Sequence, residues 1–378
     1  MKIVVDENII FAEEAFAEFG TVKLINGRSI NNKVLTDADV LIVRSITKVD
    51  KYLLQNTPVK FVGTATIGRE HIDIDYLLKN EIAFADAKGC NADSVSEYVF
   101  TALLKVAVDE KIRVSEKSIG IVGVGNIGSR IEKHAKALGM KVLKNDPPKE
   151  REGIGSGYVT LDEILKADII SLHVPLNIKG KDKTVHLLNE QNLKKLKPGA
   201  IIINTSRGQV SDNNALLDET KRKCFSLILD VWENEPDLNI ELLKKTKIGT
   251  AHIAGYSLEG KANGTKIIYN SLCKYLNKKN EWEPLLMNLE NATHSLQQGK
   301  TFEEKLYGLF SSIYNIEEDD KKLKDIYSMR DDKIKGHFDN LRKEYPVRRE
   351  FSNYTITLQQ KDLIFNPILE AFRFKVKC

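Results

Sequence analysis

Short apolar runs alternate along the chain with stretches whose apolar residues recur every three or four positions. "KIVV" (2–5), "VLIVRS" (40–45) and "VKFVGTA" (59–65) have the length and β-branched content of strands. "DENIIFAEEAFAEFG" (6–20) and "EHIDIDYLLKNEI" (70–82) have helical spacing and lie between or after them. Strand, helix, strand in this rhythm predicts a parallel sheet. A helix over "NADSVSEYVFTALLKVAV" (91–108) follows, with Asp93 and Ser94 as cap candidates, and then the rhythm restarts. "SIGIVGVGNIG", "KVLKND", "ADIISLHVP", "AIIINTS", "FSLILDV" and "IGTAHIA" supply the six strand-like runs of a doubly wound, Rossmann-type α/β domain. From about Asn277 the composition changes to charged and helical, through "FEEKLYGLFSSIY" (302–314) and "IEEDDKKLKD" (316–325), with a late strand in "NYTITLQQ" (353–360). A third domain is expected from about Glu283.

Composition narrows this little. A chain of 378 residues can bury large cores in two or three domains. No run approaches the ~18 uninterrupted apolar residues of a membrane span, and Asp6 and Glu7 interrupt the one apolar run a leader would use. Cys90, Cys224, Cys273 and Cys378 are far apart, with no paired spacing and no histidine cluster. Disulfides and a metal site are therefore not expected, and the cytoplasm is the expected compartment. The net charge of +4 is mild, and basic residues do not cluster with aromatics as nucleic-acid binding would require.

Two patterns carry chemistry. Gly123, Gly125, Asn126, Ile127 and Gly128 form a GxGxxG loop that leaves an apolar strand and opens a helix. Such glycines allow a tight turn, close backbone approach to a pyrophosphate, and close packing of helix on strand, with the helix N-terminus facing the phosphates. Asp146 ends the next strand, eighteen residues past Gly128. A carboxylate there accepts from ribose hydroxyls and repels a 2′-phosphate, so NAD is the expected cofactor. The second pattern lies past later strands: Arg207 after "AIIIN", Glu235 after "FSLIL" and His252 after "KIG". Oxidising an alcohol with NAD requires a base for the hydroxyl proton, a group that tunes the base, and a cation for a substrate carboxylate. His252 suits the first, Glu235 the second by accepting from the other ring nitrogen, and Arg207 the third through its planar fork. Each alone would pass for a surface pair, a turn residue or a core histidine; their order on a dinucleotide fold makes the set.

With these motifs the chain resembles the D-isomer-specific 2-hydroxyacid dehydrogenase family. The "NADSVSEY" helix, the Arg-Gly after an Asn-bearing strand end, the Asp-Val…Glu-Pro segment and the His252 loop are similar to its signatures. The resemblance implies a Rossmann NAD-binding domain (93–256) inserted in a flavodoxin-like substrate domain (1–92 and 257–282), with a C-terminal α+β dimerisation domain (283–378). It implies catalytic Arg207, Glu235 and His252, and further NAD contacts at Val174, Ser206, Asp230 and Gly255. "RSITKV" (44–49), "GTATIGREHID" (63–73), "HIAGYSLEGKANGT" (252–265) and "PLNIKGKDKTVHL" (175–187) are similar to the branch that oxidises 4-phospho-D-erythronate toward pyridoxal 5′-phosphate. There the resemblance implies Ser45, Thr66 and Tyr256 as substrate contacts. Ala251 departs from the proline usual before the catalytic histidine.

The loop "FVGTATIG" (61–68) is then expected to face the substrate, with Gly63 and Gly68 presenting backbone N–H groups and Thr64 and Thr66 hydroxyls. Arg44 is the expected cation for the phosphate, with Arg348 and Arg349 a second source. The apolar stripe of "FEEKLYGLFSSIY" is expected to pair two copies into a homodimer. The competing readings are a D-3-phosphoglycerate dehydrogenase and an NAD-sensing corepressor-like binding protein. An intact catalytic set disfavours the second.

Overall fold

The computed structural model describes residues 1–290, 292–296 and 298–377; Cys378 lies outside them. The chain forms two compact units, Met1–Asn91 with Ser257–Asn288, and Ala92–Tyr256 with Leu289–Cys378.

In the first unit, β1 (Lys2–Asp6), β2 (Thr21–Ile25), β3 (Val40–Val43), β4 (Phe61–Thr64) and β5 (Ala83–Asp86) form one parallel sheet in the order β2-β1-β3-β4-β5. This is the flavodoxin-type doubly wound order. The three central strands are the three apolar runs of the sequence. The two edge strands escape the pattern because each hides little: β2 is exposed or half-buried throughout and β5 half-buried throughout. The helix expected over 6–20 shrinks to Ala12–Phe16 with a 3-10 turn to Phe19. Phe11 ahead of it takes φ 60°, a left-handed conformation that no helix can run through. The returning helix Leu258–Tyr275 is capped by Ser257 and buries Ile268, Tyr269 and Leu272 with Ile3, Phe16 and Phe61. Gly63 belongs to this packing: a side chain there would come within 2.6 Å of Ile268.

In the second unit, β6 (Ser118–Val122), β7 (Lys141–Asn145), β8 (Ile169–Leu172), β9 (Ile201–Asn204), β10 (Ser226–Leu229) and β11 (Thr246–Gly249) form a parallel sheet ordered β11-β10-β9-β8-β6-β7. A bridge from Lys144 to Tyr158 extends it past β7. Strands β8, β9 and β10 are buried at every residue, as a parallel sheet covered on both faces requires. The strand order reverses between β6 and β8, where open α/β sheets bind ligands.

The segment from Leu289 on lies in this same unit. It holds a small parallel sheet of β12 (Thr293–Ser295), β13 (Thr355–Thr357) and β14 (Lys375–Lys377). Its helix Phe302–Ile313 starts at a Thr301–Glu304 capping box. The apolar stripe of that helix is not a free surface for a second copy. Leu306, Leu309 and Phe310 are buried in one core with Val99, Phe100 and Leu103 of the helix Ala92–Asp109. Arg348 and Arg349 are buried as well, 7% and 8% exposed. Arg348 donates to the carbonyls of Ser94 and Ala254, and Arg349 to Asn353. Neither is a solvent-facing phosphate ligand in this fold.

One histidine ties these parts together. His134, on the helix Asn126–Ala137, is 3% exposed. Its ring lies 4.0 Å from that of Phe372, Nδ1 faces Ser96 Oγ at 2.7 Å, and Nε2 faces the Ala371 carbonyl at 3.0 Å. Nε2–H donating to Ala371 and Nδ1 accepting from Ser96 satisfies both bonds with a neutral ring. Burial pushes its pKa down to about 3, although the Ala371 bond opposes this. The unfolded chain takes up a proton near pH ~6.5 that the fold refuses, so this contribution to stability is complete above that pH and is lost as the pH falls toward 3. Between pH 7 and pH 5 the loss is about 2 kcal/mol for a single group. Denaturant unfolding at the two pH values should show the native chain losing about 2 kcal/mol more than a His134→Phe variant; equal losses would mean that His134 is not buried neutral.

Candidate active site

The C-terminal ends of β9, β10 and β11 are hydrogen-bonded neighbours, and this adjacency collects Arg207, Glu235 and His252 from residues far apart in sequence. The ladder runs on past the strands: Asp230 N–H donates to Asn204 O (3.0 Å), Thr250 N–H to Leu229 O (3.0 Å) and His252 N–H to Asp230 O (2.8 Å). Beyond it, Gly208 lets the Arg207 turn lie against the Trp232–Glu233 peptide, because a side chain there would sit 2.0 Å from Trp232 O.

His252 Nδ1 lies 2.8 Å from Glu235 Oε2, while Glu235 Oε1 accepts from Trp232 N–H at 2.7 Å. Burial alone would push the Glu235 carboxyl up, but the charge of His252, its hydrogen bond and the Trp232 N–H outweigh burial and hold it below the ordinary range. An ionised Glu235 that accepts from Nδ1–H leaves Nε2 as the proton acceptor, and Nε2 makes no hydrogen bond among the described residues. His252 itself sits at φ 56°, a left-handed conformation that costs energy unless its surroundings impose it. Asp230 imposes it. Its carboxylate, 1% exposed, accepts from Thr250 Oγ1 (2.7 Å), Ile253 N–H (2.7 Å) and Ala254 N–H (3.0 Å). Arg207 is half-buried, with Nη1 donating to Ser206 O at 2.7 Å.

At the other side of the sheet, Gly123 takes φ 87° against the His173 carbonyl, with Val174 Cγ1 2.8 Å from where its side chain would be. Gly125, at the helix N-cap, has open space where a side chain would stand. No side chain caps that helix, so its first N–H groups are left for a ligand. Asp146 is half-buried; Oδ2 accepts from Val124 N–H (2.8 Å) and Oδ1 from Lys149 N–H (3.2 Å), which fixes the carboxylate beside the loop. Lys144 is turned to Glu132 (3.1 Å) and the Tyr158 ring. Ser206 is buried on Asn204, and Gly255 lies in the turn before Tyr256.

Comparisons with known proteins identify the family. Residues 101–254 match the family model described as D-isomer specific 2-hydroxyacid dehydrogenase, NAD binding domain. A second model, described only as a domain of unknown function, matches residues 285–366. The erythronate-4-phosphate dehydrogenase of Proteus mirabilis is 46% identical over 360 residues, covering 94% of each chain. That of Cronobacter sakazakii is 44% identical over 357 residues, covering 93% of each. The chain belongs to the D-isomer-specific 2-hydroxyacid dehydrogenase family. Solved structures of the family show the same fold: the D-lactate dehydrogenase of Aquifex aeolicus complexed with NAD and lactic acid superposes with a TM-score of 0.59 at 26% identity, over 73% of this chain and 96% of that one. The NAD-bound 3-phosphoglycerate dehydrogenase of Entamoeba histolytica gives 0.61 at 26% identity, over 73% and 95%.

As a family member the chain is an NAD-dependent dehydrogenase. The glycine loop and the uncapped helix offer N–H donors and the fixed Asp146 carboxylate an acceptor, a set that fits a dinucleotide.

In the first unit, Arg44 and Ser45 follow β3, and Thr66 follows β4. Thr64, expected as a hydroxyl donor, is fully buried, with Oγ1 2.8 Å from Thr66 Oγ1 and 3.1 Å from His71 Nε2. It fixes its neighbours and does not face a ligand. Sequence reasoning missed His71, Thr250 and Arg342. Arg342 stands in a charged helix ninety residues past His252, with no motif to single it out.

Replacing Glu235 by Gln should lower kcat by roughly tenfold or more, since the charge that stabilises the imidazolium formed in the reaction is gone. An unchanged kcat in that variant would exclude the Glu235–His252 pair from the proton transfer.

Proposed function

We propose that this chain oxidises the C2 hydroxyl of 4-phospho-D-erythronate to (R)-3-hydroxy-2-oxo-4-phosphooxybutanoate, a step toward pyridoxal 5′-phosphate. The observation that carries the reaction type is the Glu235–His252 hydrogen bond at the end of the dinucleotide sheet; the substrate is supported by relatives bearing that activity's name along nearly the whole chain. Bound NAD supplies the hydride acceptor. His252 Nε2 takes the hydroxyl proton as the C2–H hydride leaves, and Glu235 steadies the imidazolium that results. Arg207 holds the carboxylate through two parallel hydrogen bonds, fixing C2 for transfer. Gly123, Gly125, Asn126, Ile127 and Gly128 hold the pyrophosphate and Asp146 the ribose, with Val174, Ser206, Asp230 and Gly255 as further cofactor contacts. Ser45, Thr66 and Tyr256 contact the substrate, and Arg44 supplies a cation for its phosphate. We assign residues 1–92 and 257–282 to substrate binding, 93–256 to NAD and 283–378 to dimerisation, in a cytoplasmic protein.

NADH formation with 4-phospho-D-erythronate and with 3-phospho-D-glycerate tests the substrate. Turnover of the first should exceed that of the second by orders of magnitude. The reverse preference would make the chain a phosphoglycerate dehydrogenase, and no turnover of either a binding protein. Arg44→Ala should raise KM for the phosphorylated acid and leave unphosphorylated erythronate nearly untouched. Equal losses on both would place the phosphate elsewhere.

The dimer now rests on exposed apolar residues of the C-terminal segment. Val347 is 75% exposed and Ile364 72%. Light scattering of the full chain should give twice 42.7 kDa, and Val347→Asp with Ile364→Asp should halve it. A monomeric native chain would contradict the assignment.

A further inference from the structure

We infer that Arg342 is a positioning residue for the active site, holding the Tyr256 ring from the C-terminal segment of the same chain. Tyr256 lies four residues past His252, in the turn Ile253–Tyr256 closed by a 2.8 Å bond from Tyr256 N–H to Ile253 O. The Arg342 guanidinium carbon lies 6.0 Å from the Tyr256 ring centroid and 6.0 Å from that of Phe338, which is fully buried one turn earlier on the helix Asp331–Lys343. Tyr345 meets Tyr256 edge-on, with ring centroids 5.7 Å apart. Tyr345 is itself pinned: its hydroxyl donates to Asp319 Oδ2 at 2.7 Å, and Tyr314 donates to the same oxygen at 3.0 Å. Arg348 then donates to the Ala254 carbonyl. Residues 342, 345 and 348 thus grip residues 254 and 256 of the loop that presents His252.

Arg342 is half-buried, and withdrawing part of a guanidinium from water for packing alone is costly. Its Nε–H is buried without a hydrogen bond, and among the described residues it makes no ion pair within 4.0 Å. Burial disfavours its charge, but Tyr256, Glu235 and Asp230 more than offset this, so it stays firmly protonated. A cation held by the aromatic ring it orients, and by the field of Glu235 and Asp230, fits a role in aiming Tyr256. The function of that aim rests on the reading of Tyr256 as a substrate contact.

The experiment is steady-state kinetics of the full chain carrying Arg342→Met, Arg342→Lys or Tyr345→Phe, with 4-phospho-D-erythronate varied at saturating NAD and then the reverse. Arg342→Met should raise KM for the acid by about tenfold, in line with the coupling of residues in direct contact, while KM for NAD and the melting temperature stay within error. Arg342→Lys should recover part of the loss through its retained charge, and Tyr345→Phe, which frees the ring from Asp319, should reproduce a smaller part of it. In a Tyr256→Ala background Arg342→Met should add nothing. An unchanged KM for the acid in Arg342→Met would overturn the inference, as would an equal loss in both Tyr256 backgrounds. Should Arg342→Met fail to fold, Arg342→Lys and Tyr345→Phe decide alone, and normal KM in both would overturn it. A native chain that does not turn the acid over would instead defeat the proposed substrate.

Discussion

The working geometry depends on one buried carboxylate. Asp230, at the end of β10, gathers a hydroxyl and two backbone N–H groups from residues 250–254, and its own carbonyl takes the N–H of His252. These bonds turn a short excursion after β11 into a fixed loop. They also hold His252 in a left-handed conformation that a histidine does not keep unaided. A proline before the histidine would stiffen such a loop covalently; here Ala251 stands in that place, 3% exposed, and the stiffness comes from Asp230. The network reaches further back, because Thr250 Oγ1 also lies 2.6 Å from the buried Tyr98 hydroxyl on the helix Ala92–Asp109.

The C-terminal segment has a place in this scheme. Its helix Phe302–Ile313 shares a core with the helix Ala92–Asp109, His134 links that core to the dinucleotide helix, and Arg348 reaches the carbonyl of Ala254. The loop bearing His252 is therefore held from one side by Asp230 and from the other by the last ninety residues. An extension with these contacts cannot be removed without exposing core, whatever surface it offers to a second copy.

What the sequence revealed follows from where each signal comes from. Buried central strands are apolar at every position and stand out. The edge strands β2 and β5 are half-exposed and alternate too weakly to be seen. The glycine loop and the Arg207–Glu235–His252 order are legible because turn geometry and proton chemistry restrict residue type at fixed spacing. Thr64 and the stripe of Phe302–Ile313 pack inside the protein, which was not legible because apolar and hydroxyl side chains look the same in sequence whether they meet a ligand, a partner or their own core. Arg342 was invisible because its meaning depends on a contact with Tyr256, eighty-six residues away.

The central claim is that Asp230 acts on catalysis through the placement of His252. A double-mutant cycle in kcat with Asp230→Asn and His252→Ala tests it most directly. Each single change should lower kcat by roughly 10²–10⁴-fold, the range of general-base catalysis. The double variant should be no slower than His252→Ala alone, since an absent base cannot be misplaced further. If the two losses multiply, Asp230 works independently of His252, and the account of the loop is wrong.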